Sequence, residues 1–323
     1  MLSRAAESLY WTSRYIERAE DITRLLDVNF HALLDAPAAE HRTSWQQLIE
    51  IATDNGLYHE HFSDFTGRAV TEFLLWHPAN PYAVTTCVAQ ARENARSVRE
   101  LITSEMWEHI NKLYFLVRDV NRGMALAGPH EFFRAVREGS HAFQGVTAAT
   151  MPHGEGFQFV QVGTYLERAD KTLRILDVKN NALQDAPPDS LDASTRLVAL
   201  LKSCSAFEAF RKSRSAQLEP TAVAEYLLLD RSFPRAVLFC LERCLDAINA
   251  VSAQRNGPHH ALGRLCSELS YSHIDEVAAR PLSAFLAELL RRMNLIGEEI
   301  SRTYFSTQVL APEPTFQQQQ QQQ

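Results

Sequence analysis

The chain has 323 residues, is 46% hydrophobic and carries a formal net charge of −7. This is enough material for a large core, in one big domain or two ordinary ones, and the negative charge argues against general nucleic-acid binding, which depends on neutralising phosphates. No apolar run approaches membrane-spanning length and Glu7 falls too early for a secretory signal, so no membrane association is expected and the cytoplasm is the expected location.

Apolar residues recur every three or four positions over most of the chain, while glycine and proline are sparse and clustered, which predicts an all-α fold without a sheet. The first helix carries a stripe of Leu9, Ile16, Ala19, Leu26, Phe30 and Leu33 and is ended by Pro37. Further helices are predicted over 43–54, 67–76, 82–103, 109–126, 131–142, 157–184, 193–213, 221–229, 234–254, 259–272 and 281–305. Turn formers gathered in Met151-Pro152-His153-Gly154-Glu155-Gly156 mark a division near the middle. The segment 311–323, ending in a glutamine run, is low in complexity and too polar to bury, which predicts disorder. Cys87, Cys204, Cys240, Cys244 and Cys266 are odd in number and lie in apolar stretches, as expected of reduced core residues.

One helical phrase is written twice. Tyr15-Ile16-Glu17-Arg18-Ala19-Glu20-Asp21, continuing through Arg24, Leu26-Asp27-Val28, Ala32-Leu33 and Asp35-Ala36-Pro37, returns 150 positions later. The second copy is Tyr165-Leu166-Glu167-Arg168-Ala169-Asp170-Lys171, with Arg174, Leu176-Asp177-Val178, Ala182-Leu183 and Asp185-Ala186-Pro187. A second block, Glu72-Phe73-Leu74-Leu75 with Pro81, Ala83-Val84 and Cys87, matches Glu225-Tyr226-Leu227-Leu228 with Pro234, Ala236-Val237 and Cys240 at an offset of 153. Two blocks in the same order imply an ancestral half joined to itself. The expectation is a helical bundle of two pseudo-twofold-related halves, 1–150 and 151–310, each covering the other's apolar face, with 311–323 as a tail.

The charged phrase admits three readings. On a helix, Glu17, Asp21 and Arg24 share a face, whereas Arg18 shares a largely apolar one with Trp11, Tyr15, Ile22 and Leu25, where an arginine is costly unless paired. In the second copy, Arg168 lies beside Tyr165, Thr172 and Ile175. The first reading is a set of buried salt bridges fixing helix register, with arginine's planar fork bridging to a neighbouring helix. In the second, Glu17 with Glu20 and Glu167 with Asp170, at i and i+3, converge from crossing helices on a metal or proton-transfer site. The third gives arginine-rich faces an anion-binding or docking role, with Arg92, Arg96 and Arg99 stacked at i, i+4 and i+7 as candidates and Arg24 and Arg174 as secondary partners of the duplicated pair.

Other chemical vocabulary is thin. His59-Glu60-His61 and His259-His260 are too close for zinc spacing on a helix and read as surface loops, and Cys240 and Cys244 lack further ligands. There is no glycine-rich phosphate loop, nucleophile elbow or H-E-x-x-H, so no cofactor and no metal are expected.

The two Glu-Arg helices, the run Glu93-Asn94-Ala95-Arg96-Ser97-Val98-Arg99 followed by Glu105-Met106-Trp107 and Asn111, and the Thr150-Met151 step before Gly156 and Phe159 together resemble the alpha-E family, as do Leu228-Leu229-Asp230 and Pro234-Arg235. These are bacterial all-helical proteins named for an E-R motif. The resemblance runs from about residue 2 to residue 304. It departs at Ala236, where serine is expected after Pro-Arg, and in the glutamine tail. It implies a circularly permuted ATP-grasp ligase as genetic neighbour or fusion partner, often with a transglutaminase-like protein. The expected function is therefore an accessory helical protein of a system forming peptide-like amide bonds, docking on the ligase and positioning substrate or product. An enzyme with a carboxylate and arginine site between the halves, or a small-anion binder, are the alternatives.

Overall fold

A computed structural model describes residues 1–34, 36–53, 55–184, 191–213, 218–252, 255–272 and 281–306. Among these residues there is no strand. The helices in chain order are α1 (Ser3–Ala32), α2 (Ala38–Ala52), α3 (Asn55–His59), α4 (Gly67–Trp76), α5 (Val84–Ser97), α6 (Ser104–Asp119), α7 (Arg122–Ala127) and α8 (Pro129–Thr150). They continue with α9 (Glu155–Gln184), α10 (Leu191–Ser203), α11 (Phe207–Ser213), α12 (Pro220–Leu229), α13 (Val237–Val251), α14 (Gly257–Tyr271) and α15 (Leu282–Ile300). One π-helical turn (Ser301–Phe305) closes the described chain, with Ser306 N donating to Ser301 O. The predicted disordered tail lies outside the described residues, as do Asp35 and residues 185–187 of the repeat.

The all-α expectation holds, and the differences lie at helix ends and breaks. The helix predicted over 82–103 stops at Ser97, because Thr103 starts α6 instead, its hydroxyl accepting from Met106 N at 3.2 Å. The one predicted over 109–126 is likewise two, α6 and α7, separated at Val120 and Asn121. The prediction for 193–213 breaks into α10 and α11 at Ser205, which takes a positive φ of 54°, a left-handed conformation uncommon outside glycine. His259 and His260, expected in a loop, lie in the first turns of α14, which Asn256 caps through His259 N at 3.2 Å. All five cysteines are buried and free, as expected, and burial pushes the thiols of Cys87, Cys204, Cys240 and Cys266 up to about 12.

Two long helices, α1 and α9, pack against each other at the centre. In the middle of α1 every residue from Ile16 to Thr23 is buried, polar and apolar alike, so this segment has no solvent face and must find partners for its charges inside the protein. Helices α5 and α8 cover α1, with α6 packed on both; α13 and α15 cover α9, with α14 packed on both. Helix α2 also touches α9, and α10 also touches α1.

The central helices approach closely at Gly163. A methyl group on Gly163 would collide with Ser13 Oγ and with the backbone oxygen of Tyr10 on α1, and backbone cannot move aside cheaply. Position 163 is the counterpart of position 13 in the repeat, so the contact joins matching sites of the two copies. Gly163→Ala is expected to destabilise the fold by about 1–3 kcal/mol through overpacking, despite alanine's better helix propensity. Gly145→Ala in α8, where a methyl group meets nothing within 4 Å, is expected to stabilise by about 0.5–1 kcal/mol. Denaturant unfolding of both variants checks the pair; equal gains would rule out a steric limit at 163.

Candidate functional site

The α1–α9 contact brings the duplicated phrases together and exchanges their partners. Glu17 of the first copy receives Arg168 of the second, Nε to Oε1 at 2.8 Å. Glu167 of the second copy receives Arg18 of the first through two parallel bonds, Nε to Oε1 at 2.6 Å and Nη2 to Oε2 at 2.9 Å. Arg14, one turn before Arg18, adds Nε to Glu167 Oε2 at 2.7 Å and donates from Nη1 to the Tyr10 hydroxyl at 2.8 Å. Burial alone would raise the pKa of Glu167, but the Arg18 and Arg14 guanidiniums outweigh it and hold the carboxyl well below the usual range. Arg18 is conversely held above its ordinary value, its own burial outweighed by Glu167. The bidentate geometry is what arginine supplies and lysine does not.

A second layer surrounds Glu17 and Glu20. Arg235, at the entrance to α13, reaches three acids of α1: Nη2 lies 2.8 Å from Glu17 Oε1 and 2.5 Å from Glu20 Oε1, and Nη1 lies 2.8 Å from Asp21 Oδ1. From α8, Gln144 donates to Glu17 Oε2 at 2.8 Å and accepts from Arg168 Nη2 at 2.6 Å, while Ser140 Oγ donates to Glu20 Oε2 at 2.8 Å. Arg24 bonds Glu20 from the next turn of α1. His141, with more than half its side chain exposed, links Glu20 to solvent across 3.1 Å. Against the pull of burial, Arg235, His141 and Arg24 hold Glu20 well below the usual carboxylate range.

The remaining predicted residues are dispersed. Asp170 is held by Arg174 within α9, Nε to Oδ2 at 2.8 Å. The four carboxylates considered for a shared site do not share one partner set: Glu17 and Glu20 meet at Arg235, Glu167 is enclosed by Arg14 and Arg18, and Asp170 is bound to Arg174. Nor do Arg92, Arg96 and Arg99 form one stack, because α5 ends at Ser97 and Arg99 lies beyond it. Arg92 donates to Asn111 Oδ1 at 2.7 Å over the Trp107 and Tyr114 rings; Arg96 pairs with Glu93; and Arg99 donates to Ile102 O and Ser104 Oγ, both at 3.3 Å.

Among the described residues, one group has metal-compatible spacing: Asp27, His31 and His130, with ligand atoms within 4.8 Å of one another. Arg137 Nη1 stands 2.8 Å from the second oxygen of Asp27, a fixed positive charge that opposes a dication there. A hollow of about 380 Å3 lies beside the network, lined by Arg14, Asp170, Asn294 and the π-turn residues Ser301 and Phe305. It meets the rim of the cluster, and neither Glu17 nor Glu167 lines it.

Sequence reasoning missed Arg235 and Gln144 as members of the cluster. Arg235 did carry a signal: at the offset of 153 it stands where the first copy has Tyr82, so it breaks an otherwise matched Pro-x-Ala-Val step. Tyr82 answers for the difference by lying over Arg18, ring centroid to guanidinium 4.9 Å. Gln144 carries no local signal, since its role depends on how α8 docks.

Asp21 is the strained member. Burial raises its pKa to about 7, Glu17 and Glu20 push the same way, and Arg235 opposes them; its Oδ2 has no hydrogen-bond partner. An unfolded aspartate titrates near ~3.9, so the native state holds an extra proton from about pH 4 to about pH 7, and this contribution to stability is lost as pH rises through about 7. Asp21→Asn, which mimics the neutral acid, is expected to leave Tm nearly unchanged at about pH 5 and to raise it at about pH 8.5. Thermal unfolding at both values checks this; a loss that grows with pH would mean that the ionised carboxylate is well paired.

An uncharacterised protein of Mycobacterium bovis and one of Mycobacterium tuberculosis are each 23% identical to the chain over 335 aligned positions, covering 96% of this chain and 37% of theirs. The chain thus spans little more than a third of the length of these curated relatives. No solved structure matches it. The profile of a family described as a predicted alpha-helical domain with a conserved ER motif matches residues 1–305, a span that contains the duplicated Glu17-Arg18 and Glu167-Arg168 steps as well as Glu242-Arg243; the chain belongs to the alpha-E family.

Proposed function

We propose that this protein is a non-catalytic helical accessory of an ATP-grasp-linked system that forms peptide-like amide bonds, docking on the ligase and positioning its substrate or product. The observation that carries the non-catalytic part is the closure of the E-R phrases: Glu17 is 1% exposed, Glu20 and Glu167 are 0% exposed, and each is held by arginine. A general acid or base must come within hydrogen-bond reach of the proton it moves, with a pKa near the working pH. Glu167 and Glu20, locked between cations and held far below that range, meet neither condition.

The partnership part rests on the family resemblance, with a circularly permuted ATP-grasp protein as the main partner and a transglutaminase-like protein as a second. The mycobacterial relatives favour it in one respect: there the matched segment is part of a much longer polypeptide, so the helical unit is accompanied by other sequence in the same chain. An accessory role for the fold follows from such company rather than from the fold itself.

The test mixes the purified protein with the neighbouring ATP-grasp ligase and follows co-purification and ATP turnover. Binding together with altered turnover is expected; a ligase that neither binds nor changes turnover overturns the reading. Glu17→Gln leaves Arg168 and Arg235 short of a counter-charge and is expected to cost about 3–5 kcal/mol of stability. At a temperature where the variant is folded, it is expected to dock and modulate as the parent does. A folded variant that docks normally but has lost all effect on turnover would make the cluster chemical rather than architectural.

A further inference from the structure

A cavity of about 350 Å3 lies away from the E-R network, walled by α1, α2, α9 and α10. Its volume falls in the usual range for small-molecule sites, about 300–1,000 Å3. Aliphatic side chains make much of the wall, among them Leu25, Val28, Leu33, Leu48 and Ala199.

One part of that wall is polar and incompletely satisfied. Asn29 of α1 is 4% exposed, and its Oδ1 accepts from Ser44 Oγ at 2.6 Å while its Nδ2 has no partner. Lys179 of α9 donates from Nζ to Gln47 Oε1 at 2.9 Å. Ser44 and Gln47 lie three residues apart on α2, hence on one face and one turn apart, so α2 anchors the amide and the ammonium one turn apart on the cavity wall. Positions 29 and 179 are also the same place in the repeat, where the two copies carry different residues. Burial and the nearby Arg196 lower the Lys179 pKa to about 8, with Glu50 opposing.

We propose that this cavity binds a small amphiphilic carboxylate, its acid group received by Lys179 Nζ and its apolar body by the aliphatic wall. The Lys179 ammonium matches the single negative charge of a carboxylate and can donate a charge-assisted hydrogen bond to it. The Glu40 carboxylate on the wall is paired with Arg196 at 3.5 Å, so an amine would bring a second positive charge against Lys179, and an alcohol would leave the Lys179 ammonium without an anionic partner. A carboxylate beside Lys179 stabilises the charged ammonium, so binding near pH 8 takes up a proton. The site does not depend on any ligase partnership.

The experiment is calorimetric titration of the full chain with hexanoate, octanoate and 3-phenylpropionate, with octanol and octylamine as comparators, in two buffers of different ionisation enthalpy. Expected is saturable one-site binding of at least one acid, about tenfold or more tighter than the alcohol or amine, with proton uptake near pH 8. Lys179→Met is expected to weaken that acid by about tenfold or more while leaving octanol unchanged. Ala199→Leu, which narrows the cavity without removing a polar group, is expected to weaken acid and alcohol together. Failure of all three acids to bind saturably, equal binding of acid and alcohol, or undiminished acid binding by folded Lys179→Met overturns the proposal.

Discussion

Charges buried on both faces of the α1–α9 contact have to be neutralised across it, and the rest of the molecule is arranged around that requirement. Arg18 lies on a largely apolar face of α1 and Arg168 beside Tyr165, Thr172 and Ile175 on α9, and both find their acids on the opposite helix, at Glu167 and Glu17. A slip of either helix by one turn would separate both pairs and leave four charges without partners in a medium where such charges are costly. Buried ion pairs are often poor sources of net stability compared with apolar packing, and their best-attested use is to fix register. That is the role the geometry gives them here: the pairs set how two long helices meet, and in that register Gly163 admits the close approach to Tyr10 and Ser13.

The two phrases are not chemically equivalent. Around Glu167 the neighbours are Arg14, Arg18 and, over Arg18, the ring of Tyr82. Around Glu17 and Glu20 the position matching Tyr82 is Arg235, and α8 adds Ser140, His141 and Gln144. The Glu20 side therefore holds more charge, contains the strained Asp21, and connects to solvent through His141. This side departs furthest from a simple structural pair.

Much of the architecture was readable from the sequence. Helical periodicity without glycine or proline punctuation identified the all-α fold, and buried free cysteines followed from their apolar surroundings. Breaks at 98–103, 120–121 and 204–206 escaped because they are made by a threonine cap, a short connection and a left-handed serine rather than by strong turn formers. In the site, the pairs Arg24 with Glu20 and Arg174 with Asp170 are local i, i+4 contacts visible on one helix. The exchange between copies was not visible, since one helical wheel says which residues share a face but not which face of another helix it meets. Arg235, Gln144 and Ser140 depend on that same tertiary docking.

Double-mutant cycles across the helix contact test the central claim most directly. Arg18→Met, Glu167→Gln and the double variant, with the parallel set Arg168→Met and Glu17→Gln, would be compared by urea unfolding. If the reciprocal pairs fix the contact, each cycle gives a coupling of at least about 2 kcal/mol. Couplings below about 0.5 kcal/mol in both cycles, as between independent sites, would contradict the account.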